Sequence, residues 1–121
     1  NKEKGMQLAK ELGAKVVNIQ NAGEDKIDIL INCSPVGMNP NVEETPILSK
    51  YLREGMIVFD SVYNPPRTRL IREAKAAGCV TISGVELFVN QAIEQFELWT
   101  KQIAPADTMR DILVQTIADK A

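Results

Sequence analysis

The residues best equipped for chemistry fall in three short blocks. The last block, Ser83-Gly84-Val85-Glu86-Leu87-Phe88-Val89-Asn90-Gln91-Ala92, follows the apolar run Cys79-Val80-Thr81-Ile82. From Val85 onward the apolar spacing becomes steps of three and four through Val89, Ala92, Ile93, Phe96 and Trp99, which marks a helix with one buried stripe. A strand therefore turns into a helix across Gly84. In open α/β sheets ligands sit at such junctions, because backbone N–H groups and the helix dipole face the crevice. Gly84 lets a planar ring approach the backbone. Gln91, about two turns further on, offers an amide donor and acceptor suited to a hydroxyl group. The same residues also read as a packing glycine and a solvated glutamine.

The other two blocks stand at the ends of apolar runs. Asn32-Cys33-Ser34-Pro35-Val36-Gly37-Met38-Asn39-Pro40 combines a small hydroxyl residue with a glycine, so the backbone can pass close to a ligand. Ser34 is not a nucleophile, because the chain has no histidine to activate it. In Asp60-Ser61-Val62-Tyr63-Asn64-Pro65, Asp60 is a conceivable general base, but a hydrogen-bonded turn former is the stronger reading. No catalytic residue is assigned. Without histidine or a close cysteine pair, no zinc site is expected.

The elements that position these blocks follow from period and punctuation. A helix over 5–12 ends at Gly13, and the β-branched run 15–19 reads as a strand. Strands are expected at 27–33, a compact apolar run of the kind covered on both faces, at 56–60, another buried strand, and at 79–82. A short helix over 46–52, a helix over 68–77 closed by Gly78, the helix over 85–100 and a terminal helix from Pro105 complete the order α-β-β-α-β-α-β-α-α. The terminal helix carries Met109, Ile112, Leu113, Thr116 and Ile117 on one stripe. Trp99 reads as core.

That order predicts an α/β fold with a parallel sheet and right-handed crossovers. In a nucleotide-binding sheet of order 3-2-1-4-5-6, the four strands match strands three to six, an incomplete Rossmann-like sheet with flanking and C-terminal helices. Residues 1–121 then form the C-terminal part of a nucleotide-binding domain. The strand at 15–19 becomes an edge without its neighbour, which invites self-association.

A chain of 121 residues supports one core. Its net charge of −2 gives no basic footprint, so nucleic acid is not an expected partner. No apolar run approaches the roughly 20 residues that span a bilayer. The start Asn1-Lys2-Glu3-Lys4 carries no apolar targeting segment and reads as the beginning of a piece. Cys33 and Cys79 lie in apolar runs and are expected as buried free thiols, which suits a reducing cytoplasm.

In order and spacing, the three blocks resemble shikimate dehydrogenases. The last block resembles the family's S-G-x-x-M-L-V-x-Q-A, followed by F-x-x-W-x-G, and the first resembles T-T-P-V-G-M. The resemblance covers nearly the whole chain. It implies part of an enzyme that uses NADP and reduces 3-dehydroshikimate to shikimate. The family's catalytic lysine and aspartate belong to an N-terminal substrate domain that nothing here matches, so the fragment alone is expected to be inactive. By the same resemblance, Asn1 and Lys4 fall on N-R-T/N-x-x-K/R, which grips the 2′-phosphate of NADP. Ser34, Val36 and Gly37 become the cofactor-crevice wall, and the backbone of Ser61 and Gly84 meets the nicotinamide. Tyr63 and Gln91 face the substrate. Lys101 departs from the family, which usually has glycine there, and is expected to alter the helix end. Alternatives are a quinate/shikimate dehydrogenase, a fusion with a 3-dehydroquinate dehydratase, or a non-catalytic α/β assembly module.

Overall fold

Three short, nearly continuous apolar runs form the strands of the sheet. A computed structural model describes residues 2–18 and 26–118. Within them lie α1 (Lys2–Leu12), β1 (Ile29–Asn32), a 3-10 turn (Ser49–Tyr51), β2 (Ile57–Asp60), α2 (Arg69–Ala76), β3 (Val80–Ile82), α3 (Gly84–Thr100) and α4 (Ala106–Ala118). The strands are parallel in the order β1-β2-β3, with Ile29 level with Ile57 and Ile57 level with Val80. Successive side chains point to opposite faces, so one face carries Leu30, Val58 and Thr81. On that face Val58 packs with Ile47, Leu52, Met56, Leu70 and Ala74 into the core.

α2 supplies the helical wall of this core because Leu70, Ile71 and Ala74 fall on one side of it. Thr68 caps its N-terminus by accepting from Ile71 N–H, and Gly78 (φ 79) turns the chain back toward β3. The short helix expected at 46–52 is a single 3-10 turn.

Three expectations need correction. Residues 15–18 of the strand expected at 15–19 form no strand, and Val16 and Val17 are exposed. β-branched residues favour a strand only where a neighbour supplies the ladder, and no ladder reaches this segment. Ile19 lies outside the described residues. The strands are not covered on both faces either: Ile29, Ile31, Ile57, Val80 and Ile82 all stand exposed on the side away from α2. Trp99, expected in the core, is 75% exposed. The stripe of α3 is buried at Val85 and Val89, near the sheet, and runs out toward the far end of the helix.

α3 ends in an unusual way. Lys101 adopts the left-handed conformation (φ 58, ψ 23), and its N–H donates to Glu97 O. A side chain at such a C-cap is strained by about 1 kcal/mol, which glycine avoids. Lys101→Gly is therefore expected to raise stability by about 1 kcal/mol, read as a higher urea midpoint at unchanged slope.

Candidate functional site

Parallel strands leave their C-terminal ends on one edge, where the loops that follow them meet. The loops after β1 and β2 enclose an open groove of about 330 Å³, with Cys33, Ser34, Met38, Ser61, Tyr63 and Asn64 among its walls. Three sequence-predicted site residues, Ser34, Ser61 and Tyr63, are brought together here. At the rim the loops are tied by Asn39 N–H donating to Asn64 O at 3.1 Å.

Under the groove lies a buried polar network. Asn32 and Asp60 are register partners at the ends of β1 and β2. Asn32 Nδ2 donates to Asp60 Oδ1 at 2.9 Å and to Val36 O at 3.3 Å. Asn32 Oδ1 accepts from the Ser34 hydroxyl at 2.7 Å and from Ser34 N–H at 3.1 Å. Asp60 also accepts from Val62 N–H at 3.1 Å and, through Oδ2, from the Thr68 hydroxyl at 2.5 Å. Asp60 is fully buried. Its two oxygens are thus occupied by three neutral donors, one of them at the start of α2, where the helix dipole favours a negative group. A carboxylate so enclosed cannot reach a substrate proton, which removes the general-base reading and leaves the turn former. The Ser34 hydroxyl is likewise engaged within the loop, since Val36 N–H donates to it at 3.4 Å.

The N-terminus of α3 closes against the second loop. A β-carbon on Gly84 would lie 2.4 Å from the carbonyl carbon and oxygen of Val62 and 2.6 Å from Ser61 O. The side of Gly84 on which a side chain would stand is therefore filled by protein backbone. Gly37 is buried with φ 88, and a β-carbon there would meet Glu44 O at 3.1 Å. Val36 is half-buried. Neither lines the groove; they shape the turn beneath it.

Tyr63 is held from the side by Phe88, with ring centroids 5.1 Å apart and planes tilted by 46°. Gln91, three residues beyond Phe88 and thus on the same side of α3, is exposed and does not line the groove. Lys4 is exposed on α1 and does not line the groove, and Asn1 lies outside the described residues. Cys33, expected buried, is exposed at the groove mouth because it stands one residue past β1. Cys79 is half-buried, its thiol donating to Arg53 O at 3.2 Å.

Sequence reading missed Asn32, Thr68 and Phe88 as site-shaping residues. Thr68 has a local signal, an N-cap type three residues before Ile71. The other two depend on pairings that form only in the fold. Two arginines have raised pKa values, Arg69 through its hydrogen bond to and charge attraction by Glu73, and Arg110 likewise through Glu86. Neither lines the groove. Among the described residues no cluster of three histidine, cysteine or acidic side chains could hold a metal ion, and no helix is long and apolar enough to cross a membrane.

With this geometry in place, comparisons with known proteins converge. Residues 84–114, which hold Gly84, Gln91 and most of α4, match the family described as shikimate 5′-dehydrogenase C-terminal domain. The chain is 43% identical over 115 residues to a chloroplastic bifunctional 3-dehydroquinate dehydratase/shikimate dehydrogenase of Arabidopsis thaliana, a match covering 92% of this chain and 19% of that protein. It is 40% identical to the NADP(+) shikimate dehydrogenase of Methanosarcina acetivorans, covering 95% of this chain and 44% of the relative. A shikimate 5-dehydrogenase from Thermus thermophilus, solved with NADP(H) and shikimate, superposes with a TM-score of 0.76 at 28% identity, over 95% of this chain and 42% of that one. The chain thus spans less than half the length of each of these proteins.

Proposed function

We propose that this chain, which corresponds to the C-terminal part of the shikimate dehydrogenase family, forms the cofactor side of an NADP-dependent enzyme that reduces 3-dehydroshikimate to shikimate. The observation that carries this reading is the groove at the C-terminal ends of β1 and β2. It gathers Ser34, Ser61 and Tyr63 against the α3 junction, in a chain whose 84–114 segment matches such enzymes. The groove suits a dinucleotide because its walls are small where backbone must approach a ring, at Cys33, Ser34 and Ser61.

In this reading residues 1–121 are the C-terminal part of the nucleotide-binding domain, and the first strands and the substrate domain lie elsewhere in the polypeptide. Bound NADPH supplies the hydride. The chain itself orients: Ser34 and Ser61 form the ring-side wall, Val36 and Gly37 shape the turn beneath it, and Gly84 lets α3 seat directly on residues 61–62. Lys4 and Asn1 meet the 2′-phosphate as a point charge and an amide donor. Tyr63 and Gln91 hold the substrate's oxygens. Proton transfer to the reduced ketone falls to groups outside this chain, so residues 1–121 alone are inactive. Gln91→Ala in the full-length polypeptide is expected to lower kcat/KM for shikimate about tenfold, the value of one hydrogen bond to a hydroxyl, with little change in the KM for NADP⁺.

The apolar face of Ile29, Ile31, Ile57, Val80 and Ile82, beside the outer edge of β1, favours a second reading. Under the dehydrogenase reading, further parts of the same α/β fold cover it. A non-catalytic module would instead cover it with a second copy and ignore the nucleotide. The net charge of −2 supports a protein without a nucleic-acid partner, and the free thiols Cys33 and Cys79 support a reducing compartment such as the cytoplasm. NADP⁺ titrated into the full-length polypeptide, labelled with ¹⁵N at serine and glycine, separates the readings. Shifts at Ser34, Ser61 and Gly84 support the dehydrogenase. A concentration-dependent dimer with no shifts supports the module.

A further inference from the structure

The network beneath the groove does more than satisfy buried polar atoms. Asn32 has both ends of its amide committed, with Oδ1 toward the two Ser34 donors and Nδ2 toward Asp60 and Val36 O. Exchanging oxygen and nitrogen would set donor against donor at Ser34 and leave Asp60 Oδ1 facing an acceptor, so the carboxylate fixes which way the amide points. Asp60 holds the second loop through Val62 N–H and the start of α2 through Thr68, whose hydroxyl also caps Ile71 N–H at 3.3 Å. Ser61 N–H, in turn, donates to Asn32 O at 2.9 Å. Three elements, the loops after β1 and β2 and the N-terminus of α2, thus meet at one fully buried carboxylate.

We infer that Asp60 is a positioning residue for the reaction: through Asn32 and Thr68 it locks the two groove loops in one relative arrangement and references both to α2. The inference rests on the proposed dehydrogenase function. It extends that reading to residues that touch neither cofactor nor substrate. Thr68 lies outside the groove lining, yet the network ties it to Ser34 through Asp60 and Asn32.

The test uses the full-length polypeptide and residues at opposite ends of the network. Thr68→Val keeps the side-chain shape and removes the hydroxyl; Thr68→Ser restores it; Ser34→Ala removes the shorter of the two hydrogen bonds at the far end of Asn32 and keeps the one from the backbone N–H. Thr68→Val is expected to lower kcat/KM for shikimate at least tenfold, and Thr68→Ser to stay within threefold of wild type. The Ser34→Ala/Thr68→Val double variant is expected to lose less than the product of the single losses, because both release the same link. A kcat/KM within twofold of wild type for Thr68→Val, or single losses that multiply, overturns the inference. If the wild-type polypeptide turns over neither shikimate nor quinate with either nicotinamide cofactor, the proposed function fails, and the network is read by amide hydrogen exchange. Exchange at Ser34 and Val62 should then rise at least tenfold in Thr68→Val relative to amides of the β1–β2 ladder. An unchanged rate at Ser34 would overturn the coupling itself.

Discussion

Alanine at Gly84 is expected to abolish shikimate turnover and to destabilise the fold by about 3 kcal/mol, the upper part of the range for overpacking. The added methyl group would lie 2.4 Å from the Val62 carbonyl carbon and oxygen and 2.6 Å from Ser61 O. These are backbone atoms, so no flexible side-chain end can swing aside. Either α3 retreats from the loop or residues 61–62 move, and both changes open the groove at Ser61 and Tyr63. Helix propensity works the other way, since alanine in a helix is favoured over glycine by about 1 kcal/mol, but this is smaller than the clash. Urea unfolding checks the stability, and steady-state kinetics of the full-length polypeptide check the turnover. Wild-type stability and activity would show that α3 is not seated on the loop as described.

Asp60→Ala is expected to cost at least as much, for the opposite reason. The substitution leaves Asn32 Nδ2, Val62 N–H and the Thr68 hydroxyl without their shared acceptor in a site closed to water. Each stranded donor costs about 1–3 kcal/mol, so a loss of about 4 kcal/mol is expected, with the acceptor Val36 O recovering a small part through Asn32. Asp60→Asn keeps the shape but presents a donor to one side of the network, and should fall between alanine and wild type. Urea midpoints of the three proteins give the ranking; alanine and asparagine variants equal to wild type would mean the carboxylate carries no structural role.

Much of the frame was legible because it is local. Compact apolar runs marked the three strands, and Thr68 and Gly78 bracketed α2 with its inward Leu70, Ile71 and Ala74. The glycine-bearing strand-to-helix junction at 82–85 was equally plain. What escaped is what depends on neighbours. The segment 15–18 has strand composition but joins no sheet among the described residues, and composition cannot supply a neighbouring strand. Periodicity named the face of α3 that carries Trp99, yet whether a surface lies opposite is a tertiary fact. An apolar run likewise does not say how many helices cover it, which is why Ile29 and Ile31 were expected inside and stand exposed.

The site divides in the same way. Ser34, Ser61 and Tyr63 line one groove because strand ends on the same edge bring their loops together. Gly84 was singled out as a glycine that something must approach closely, and on the side where a side chain would stand the approaching group is the Ser61–Val62 backbone. Residue type alone left Asp60 between base and turn former. The Asn32–Asp60 register pair decides it, and that pair exists only once β1 and β2 align.

The central claim, that this chain forms the cofactor side of a shikimate dehydrogenase, is met most directly by following NADPH oxidation by the full-length polypeptide on addition of 3-dehydroshikimate. The predicted result is turnover with NADPH that is absent from residues 1–121 alone. A folded full-length polypeptide that oxidises neither NADPH nor NADH with 3-dehydroshikimate or 3-dehydroquinate would contradict it.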